Sequence, residues 1–149
     1  MHTHTSAGLG VATQKDGLLP LTQMALAVIA NTGYHDYEGP AFDLEERDRL
    51  IADLKDFNIL ILRNHGLLTI GKTVSEAFMW MYRAERACRF QLSFQQAGAE
   101  AQQIPAPVQQ ISIERSKKAI SSSGHRPIGE FEWPALLRKL NRQNPGFDH

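Results

Sequence analysis

Cysteine is nearly absent from this chain: its 149 residues include one, Cys88. A single thiol excludes an internal disulfide and fits a reducing compartment, read here as the cytoplasm. Net charge is absent too. Lys and Arg number 16, and so do Asp and Glu. That balance gives no electrostatic case for nucleic acid or an anionic membrane surface. No apolar run reaches the ~18 residues of a membrane-span candidate. No basic region followed by a hydrophobic one opens the chain, so no secretory signal is read. Glycine-rich phosphate loops of the usual kinds are missing, and so are internal repeats. What is present is 42% apolar and 21% charged, ordinary for a globular domain. A chain of this size buries about 68–70% of its unfolded surface and needs no covalent staples.

Histidine carries the chemistry. His2 and His4 are two apart, so on an extended strand both imidazoles share one face. His65 follows the apolar run Asn58-Ile59-Leu60-Ile61-Leu62-Arg63, a short buried-strand pattern. Three imidazoles from two strand ends can hold one divalent metal and leave a position open, as catalytic zinc sites do. The competing reading is two exposed terminal histidines and one histidine in a strand–loop turn. Gly66 permits close backbone approach, and Arg63 and Asn64 are polar neighbours able to support a site.

Several helices announce themselves. Ser6 to Gln14 reads as a short helix, followed by an Asp16-Gly17 turn and the apolar connector Leu18 to Leu21. Leu26 to Ala30 and Gly33 to Tyr37 read as strands. Asp43 and Glu46 form a capping box for a helix to about Asp56, with Leu44, Leu50, Ile51 and Leu54 facing inward. Thr73 and Glu76 form a second box, opening a long helix to about Ala97 that stops at Gly98. Val74, Phe78, Met81, Cys88 and Leu92 make one apolar stripe. Trp80, Ala84, Ala87 and Phe94 widen it, which suits a helix buried between layers or at a subunit contact. Gln95 to Pro107 reads as a linker. A helix then runs from Pro107 to about Ser122, broken by Ser121 to Gly124, and a last one from Glu132 to Gln143.

Glu85 falls in the middle of the stripe's arc, where a carboxylate requires a partner. One reading pairs it with Arg63 or another arginine. The other makes it a carboxylate that orients a metal-binding histidine. Tyr34-His35-Asp36-Tyr37-Glu38 is either the rim of a substrate mouth or a strand end with solvated tips. Cys88, on the stripe, reads as an inert buried thiol. His125 and His149 read as solvated.

Taken together, these residues resemble the class II aldolase/adducin family. The matching elements are His2-Thr3-His4, Asp16 to Pro20, Tyr34 to Gly39, Arg63 to Leu68, Ala77-Phe78 and Ala84 to Cys88. Glu132 to Arg138 resembles the bacterial adducin-type branch. The resemblance covers nearly the whole chain. It implies a three-layer α/β/α fold around a mixed sheet, incomplete at the N-terminus. Residues 1–98 would be the core and 99–149 a linker and C-terminal helical arm. It also implies a metal held by His2, His4 and His65: zinc first, manganese or another transition metal next. The activity implied is a metal-dependent lyase of small carbonyl or sugar-like substrates, in a homo-oligomer. The alternative is a non-catalytic adducin-like module that assembles with itself or with actin and the cytoskeleton. Family members usually carry a further N-terminal stretch with a phosphate loop and an acid/base glutamate. This chain therefore reads as a C-terminal portion, incomplete as a catalyst on its own. Leu21 to Met24 also stand where the sugar-phosphate aldolases place a tyrosine.

Overall fold

Ile59, Leu60, Ile61 and Leu62 are between 0 and 6% exposed, so both faces of this segment are covered. A strand buried on both faces needs a neighbour on each edge and a layer on each side. The computed structural model, which describes residues 1–39, 44–120 and 128–148, supplies both. The chain runs β1 (His2–Thr3), α1 (Ser6–Ala12), α2 (Gln23–Ile29), β2 (Thr32–His35), α3 (Glu46–Leu54) and β3 (Ile59–Leu62). It continues through β4 (Gly66–Thr69), α4 (Val74–Gln96), α5 (Ala106–Ile120) and α6 (Glu132–Gln143). The sheet has the order β1-β4-β3-β2; β2 and β3 are parallel and the other pairs antiparallel. This is the mixed sheet of an α/β/α sandwich. Tyr34 and His35 point to opposite faces of β2. Tyr34 faces the α1–α2 connector, where its hydroxyl accepts from the Leu18 N–H, while His35 faces α3.

The core lies between the sheet and α4, where Val11, Ile59, Ile61, Leu67, Trp80, Ala84 and Cys88 pack together. Thr73 caps α4 as its sequence indicates, accepting from the Glu76 N–H at 3.1 Å. The Glu76 carboxylate returns to the Lys72 N–H at 2.8 Å, one residue beyond the usual box. Gly98 follows the helix with φ +63°.

Four expectations are corrected. Leu26 to Ala30 is helix, not strand: Thr22 caps it through the Ala25 N–H, and Met24, Ala25 and Leu26 are strong helix formers. Its unbroken apolar character reflects burial beneath neighbouring helices rather than strand alternation. In α3 the inward face carries Glu46, Leu50 and Leu54, while Leu44 and Ile51 are 88% and 59% exposed. The buried Glu46 side chain, facing His35, fixes that rotation; Asp43 lies outside the described residues. The strand Gly66–Thr69 carries no alternation signal and was not expected. On α4 the buried arc centres on Trp80, Ala84, Ala87 and Gln91, and Val74 is 76% exposed. The C-terminal helices pack back on the core: α5 lies against α2, and Trp133 of α6 stacks edge-on against Phe78 at 5.4 Å. His125, His149 and the break at Ser121 to Gly124 lie outside the described residues. Among those residues no helix is long and apolar enough to cross a membrane.

Candidate metal centre

The β3–β4 hairpin and the register of β1 bring the histidines together. His2 pairs with Leu68 and Thr3 with Leu67, so His4 leaves β1 beside Gly66 and the hairpin turn. That turn is tight. Asn64 adopts φ +57° and Gly66 φ +152°. Asparagine tolerates the left-handed region and glycine needs no clearance there. A Cβ on Gly66 would run into the Thr3 carbonyl oxygen and crowd the His4 ring. The turn is tied down from outside by the Asn64 N–H to Ala12 O at 3.0 Å. Arg63 Nη1 donates to the Gln14 and Lys15 carbonyls at 3.0 and 3.1 Å, and its guanidinium lies 4.3 Å from the Tyr34 ring centroid.

The outcome is a triangle of imidazoles. Ring centroids are 4.6 Å apart for His2–His4 and 4.8 Å for His2–His65 and for His4–His65. One nitrogen from each lies within 4.8 Å of the other two. His2 Nδ1 is 2.9 Å from the Leu67 carbonyl oxygen. A carbonyl only accepts, so Nδ1 carries the proton and the lone pair of His2 sits on Nε2. That Nε2 faces His4 Nε2 at 2.8 Å. Nitrogens sharing one tetrahedral ion with bonds of about 2.0–2.1 Å stand roughly 3.3 Å apart, a small side-chain rotation from this arrangement. The donor set therefore fits a divalent transition metal, with a backbone carbonyl orienting one ligand. His65 is held below the ordinary imidazole value, first by burial, then by the charges of His2 and His4, with Glu46 pulling the other way. A lowered value keeps the ring neutral and able to ligate.

Glu85 does not reach this triangle, and Arg63 is not its partner. Its Oε2 accepts from Thr5 Oγ at 2.5 Å and from the Gly8 N–H at 3.2 Å; its Oε1 accepts from Arg89 Nε at 3.1 Å. Thr5 occupies the N-cap of α1 yet makes no cap bond of its own. A carboxylate from α4 thus caps α1, and it does so at the residue following His4. The α4 register places Glu85 at the border of the buried arc, where side-chain exposure is 14%.

Of the Tyr34–Glu38 cluster, Tyr37 stands at the site: its ring lies 6.2 Å from that of His65 and it is 55% exposed. Glu38 pairs with Arg49. His35, read from sequence only as a member of that cluster, is neither solvated nor at the rim: it is 4% exposed. Its Nδ1 is 2.8 Å from Asp53 Oδ2, and its Nε2 is 3.6 Å from Glu46 Oε1. The alternation of Gly33, Tyr34 and His35 across β2 was the available sign of its burial. Cys88 is buried, and burial foremost, then the Glu85 charge, pushes its thiol up to about 12, so it is no nucleophile.

A mixed sheet flanked by helices is the fold of the aldolase II superfamily. The chain belongs to that family: the profile described as "Class II Aldolase and Adducin N-terminal domain" matches residues 1–92. Its relatives include a Pseudomonas aeruginosa protein provisionally named an aldolase class 2 protein. That protein is 45% identical over 153 residues, covering 99% of this chain and 56% of the relative. Alpha-adducin of Mus musculus is 36% identical over 149 residues, covering 95% of this chain and 20% of the relative. The crystal structure of an aldolase II superfamily protein from Pseudomonas syringae superposes with a TM-score of 0.86 at 45% identity, covering 97% of this chain and 56% of that one. The chain thus spans about half the length of these bacterial relatives.

Proposed function

We propose that this chain carries the metal-binding part of a divalent-metal-dependent lyase acting on a small carbonyl or sugar-like substrate. The observation that carries the reading is the His2–His4–His65 triangle, with the tautomer of His2 set by Leu67. A divalent metal bound there would polarise a substrate oxygen and stabilise the negative charge that develops on it when a C–C bond breaks. Zinc is the first choice, since three neutral imidazoles suit it, and manganese or another transition metal is the alternative. The chain's own residues do the positioning. Leu67 O turns the His2 lone pair inward. Glu85, through Thr5 and Gly8, fixes the strand-to-helix turn that carries His4. Gly66 lets β1 lie close against the hairpin bearing His65. Tyr37 overhangs His65 with its ring accessible to a bound substrate.

The test is metal content. Purified chain loaded with zinc and dialysed should retain about one ion per three-histidine site, and His65→Ala should lose it. Unchanged stoichiometry in the variant would remove His65 from the ligand set and this reading with it. By itself the chain should show little carbon–carbon lyase turnover, because among the described residues no carboxylate joins the three histidines.

The likeness to alpha-adducin supports a second reading, a non-catalytic module that self-associates or joins an actin-based assembly. Retained metal favours the enzyme lineage. Cosedimentation with actin filaments in the absence of metal favours the module. Homo-oligomer formation belongs to both readings. On α4, Tyr82 and Phe90 are 46% and 39% exposed, with Arg86 lying over both rings, and they form a surface suited to a second copy.

A further inference from the structure

A second site stands apart from the histidines and shares no residue with them. A cleft of about 340 Å³ lies between α2, α4 and α5, at the small end of the ligand-site range of about 300–1,000 Å³. Its floor is apolar, formed by Met24, Val28 and Trp80. Its polar lining is Gln23, Ser116 and two arginines. Arg83 and Arg115 both line it. Arg115 has no hydrogen-bond or ion-pair partner among the described residues. The nearest carboxylate oxygen paired with Arg83, on Glu132, is 3.7 Å away, long for an ion pair. Trp80 is 1% exposed, and its indole Nε1–H is buried with no acceptor among the described residues. Buried indole N–H groups normally find a partner, and leaving one bare costs free energy. The two guanidinium groups have no acceptor capacity, so a ligand that engages them brings lone pairs, and negative charge suits them best.

We propose that this cleft binds a small amphipathic carboxylate. The carboxylate would meet the arginine guanidiniums, whose planar fork matches its two oxygens; the hydrocarbon body would lie on Met24, Val28 and Trp80. A bare phosphate would leave the apolar floor uncovered. A neutral alcohol would leave the guanidiniums uncompensated. The carboxylate alone answers both halves of the cleft.

The indole N–H signal of Trp80 is a direct reporter, because the chain has two tryptophans and Trp133→Phe leaves one. Octanoate and benzoate are the probes, with octan-1-ol and inorganic phosphate as controls, followed in proton–nitrogen correlation spectra of the whole chain. The expected result is a saturable shift of the Trp80 indole signal with at least one carboxylate. Arg115→Gln, on an exposed helix face where folding is not at stake, should weaken that binding about tenfold or more. Neither control should match the carboxylates. Three outcomes would overturn the proposal: no saturable shift with either carboxylate, an equal shift with octan-1-ol or phosphate, or carboxylate binding indifferent to Arg115→Gln.

Discussion

Replacing Glu85 by glutamine tests how the histidine strand is held. The carboxylate accepts two hydrogen bonds on Oε2, from Thr5 and from the Gly8 N–H, in a side chain that is 14% exposed. Hydrogen bonds to a charged acceptor contribute about 1.5–3 kcal/mol, against about 0.5–1.5 for neutral pairs. Glutamine keeps one carbonyl oxygen in place, so both bonds survive in neutral form, and the loss is about 1 kcal/mol each. The Arg89 contact adds little, because that guanidinium is 71% exposed and screened by solvent. Glu85→Gln should therefore cost about 2 kcal/mol, a fall of about 4–8 °C in melting temperature for a chain of this length. Thr5 follows His4 directly, so a looser Thr5 should also weaken zinc binding, by about tenfold in a chelator competition. Thr5→Val should do the same, and the double variant should be less than additive, since one change weakens and the other removes the same Thr5–Glu85 bond. Arg89→Gln, which removes only the exposed contact, should not reproduce the pattern. If Glu85→Gln leaves both melting temperature and zinc affinity unmoved, the carboxylate does not hold this turn and the argument fails.

Gly66→Ala places a Cβ against the Thr3 carbonyl at a left-handed φ of +152°. It should cost about 2–4 kcal/mol in chemical denaturation and displace β1, with loss of bound metal; wild-type stability and metal content would contradict the close approach. For His65 the folded-state value lies below the ordinary 6.5. As pH falls below that value the unfolded chain takes up the proton first, so this contribution to stability is intact above 6.5 and is lost as pH drops toward the folded-state value. Metal-free wild type should lose more stability than His65→Ala between about pH 7 and about pH 5; parallel curves would show that His65 is not perturbed. Sedimentation velocity at micromolar concentration should show self-association that Phe90→Ser reduces, and a clean wild-type monomer would refute the surface assigned to α4.

Much of this protein is legible in its sequence because the signals are local. The Thr73 cap, the helix from Val74 to Gln96, the buried strand Ile59–Leu62 and the helix Glu132–Gln143 follow from hydrogen-bonding groups and periodicity within a few residues of each other. The histidines were legible as candidates for the same reason: the two-residue repeat of an extended strand puts His2 and His4 on one face. That His65 joins them was decided by strand register, a pairing across more than sixty residues that no local pattern encodes. The partners of Glu85 were decided in the same way. Helical phase from sequence placed it amid an apolar arc, but the arc's true centre depends on which side of α4 meets the sheet, α1 and α2. That contact put Glu85 at the border, against the start of α1, and sent Arg63 to the carbonyls of Gln14 and Lys15. The segment Gln23–Ile29 shows the same limit from the other direction. A short apolar run has no period to read, and capping by Thr22 with packing against α4 and α5 made it a helix. Sequence determined which elements form where hydrogen bonds and periodicity are close along the chain. Tertiary structure alone decided which side chains meet, because burial and register are properties of the packed layers.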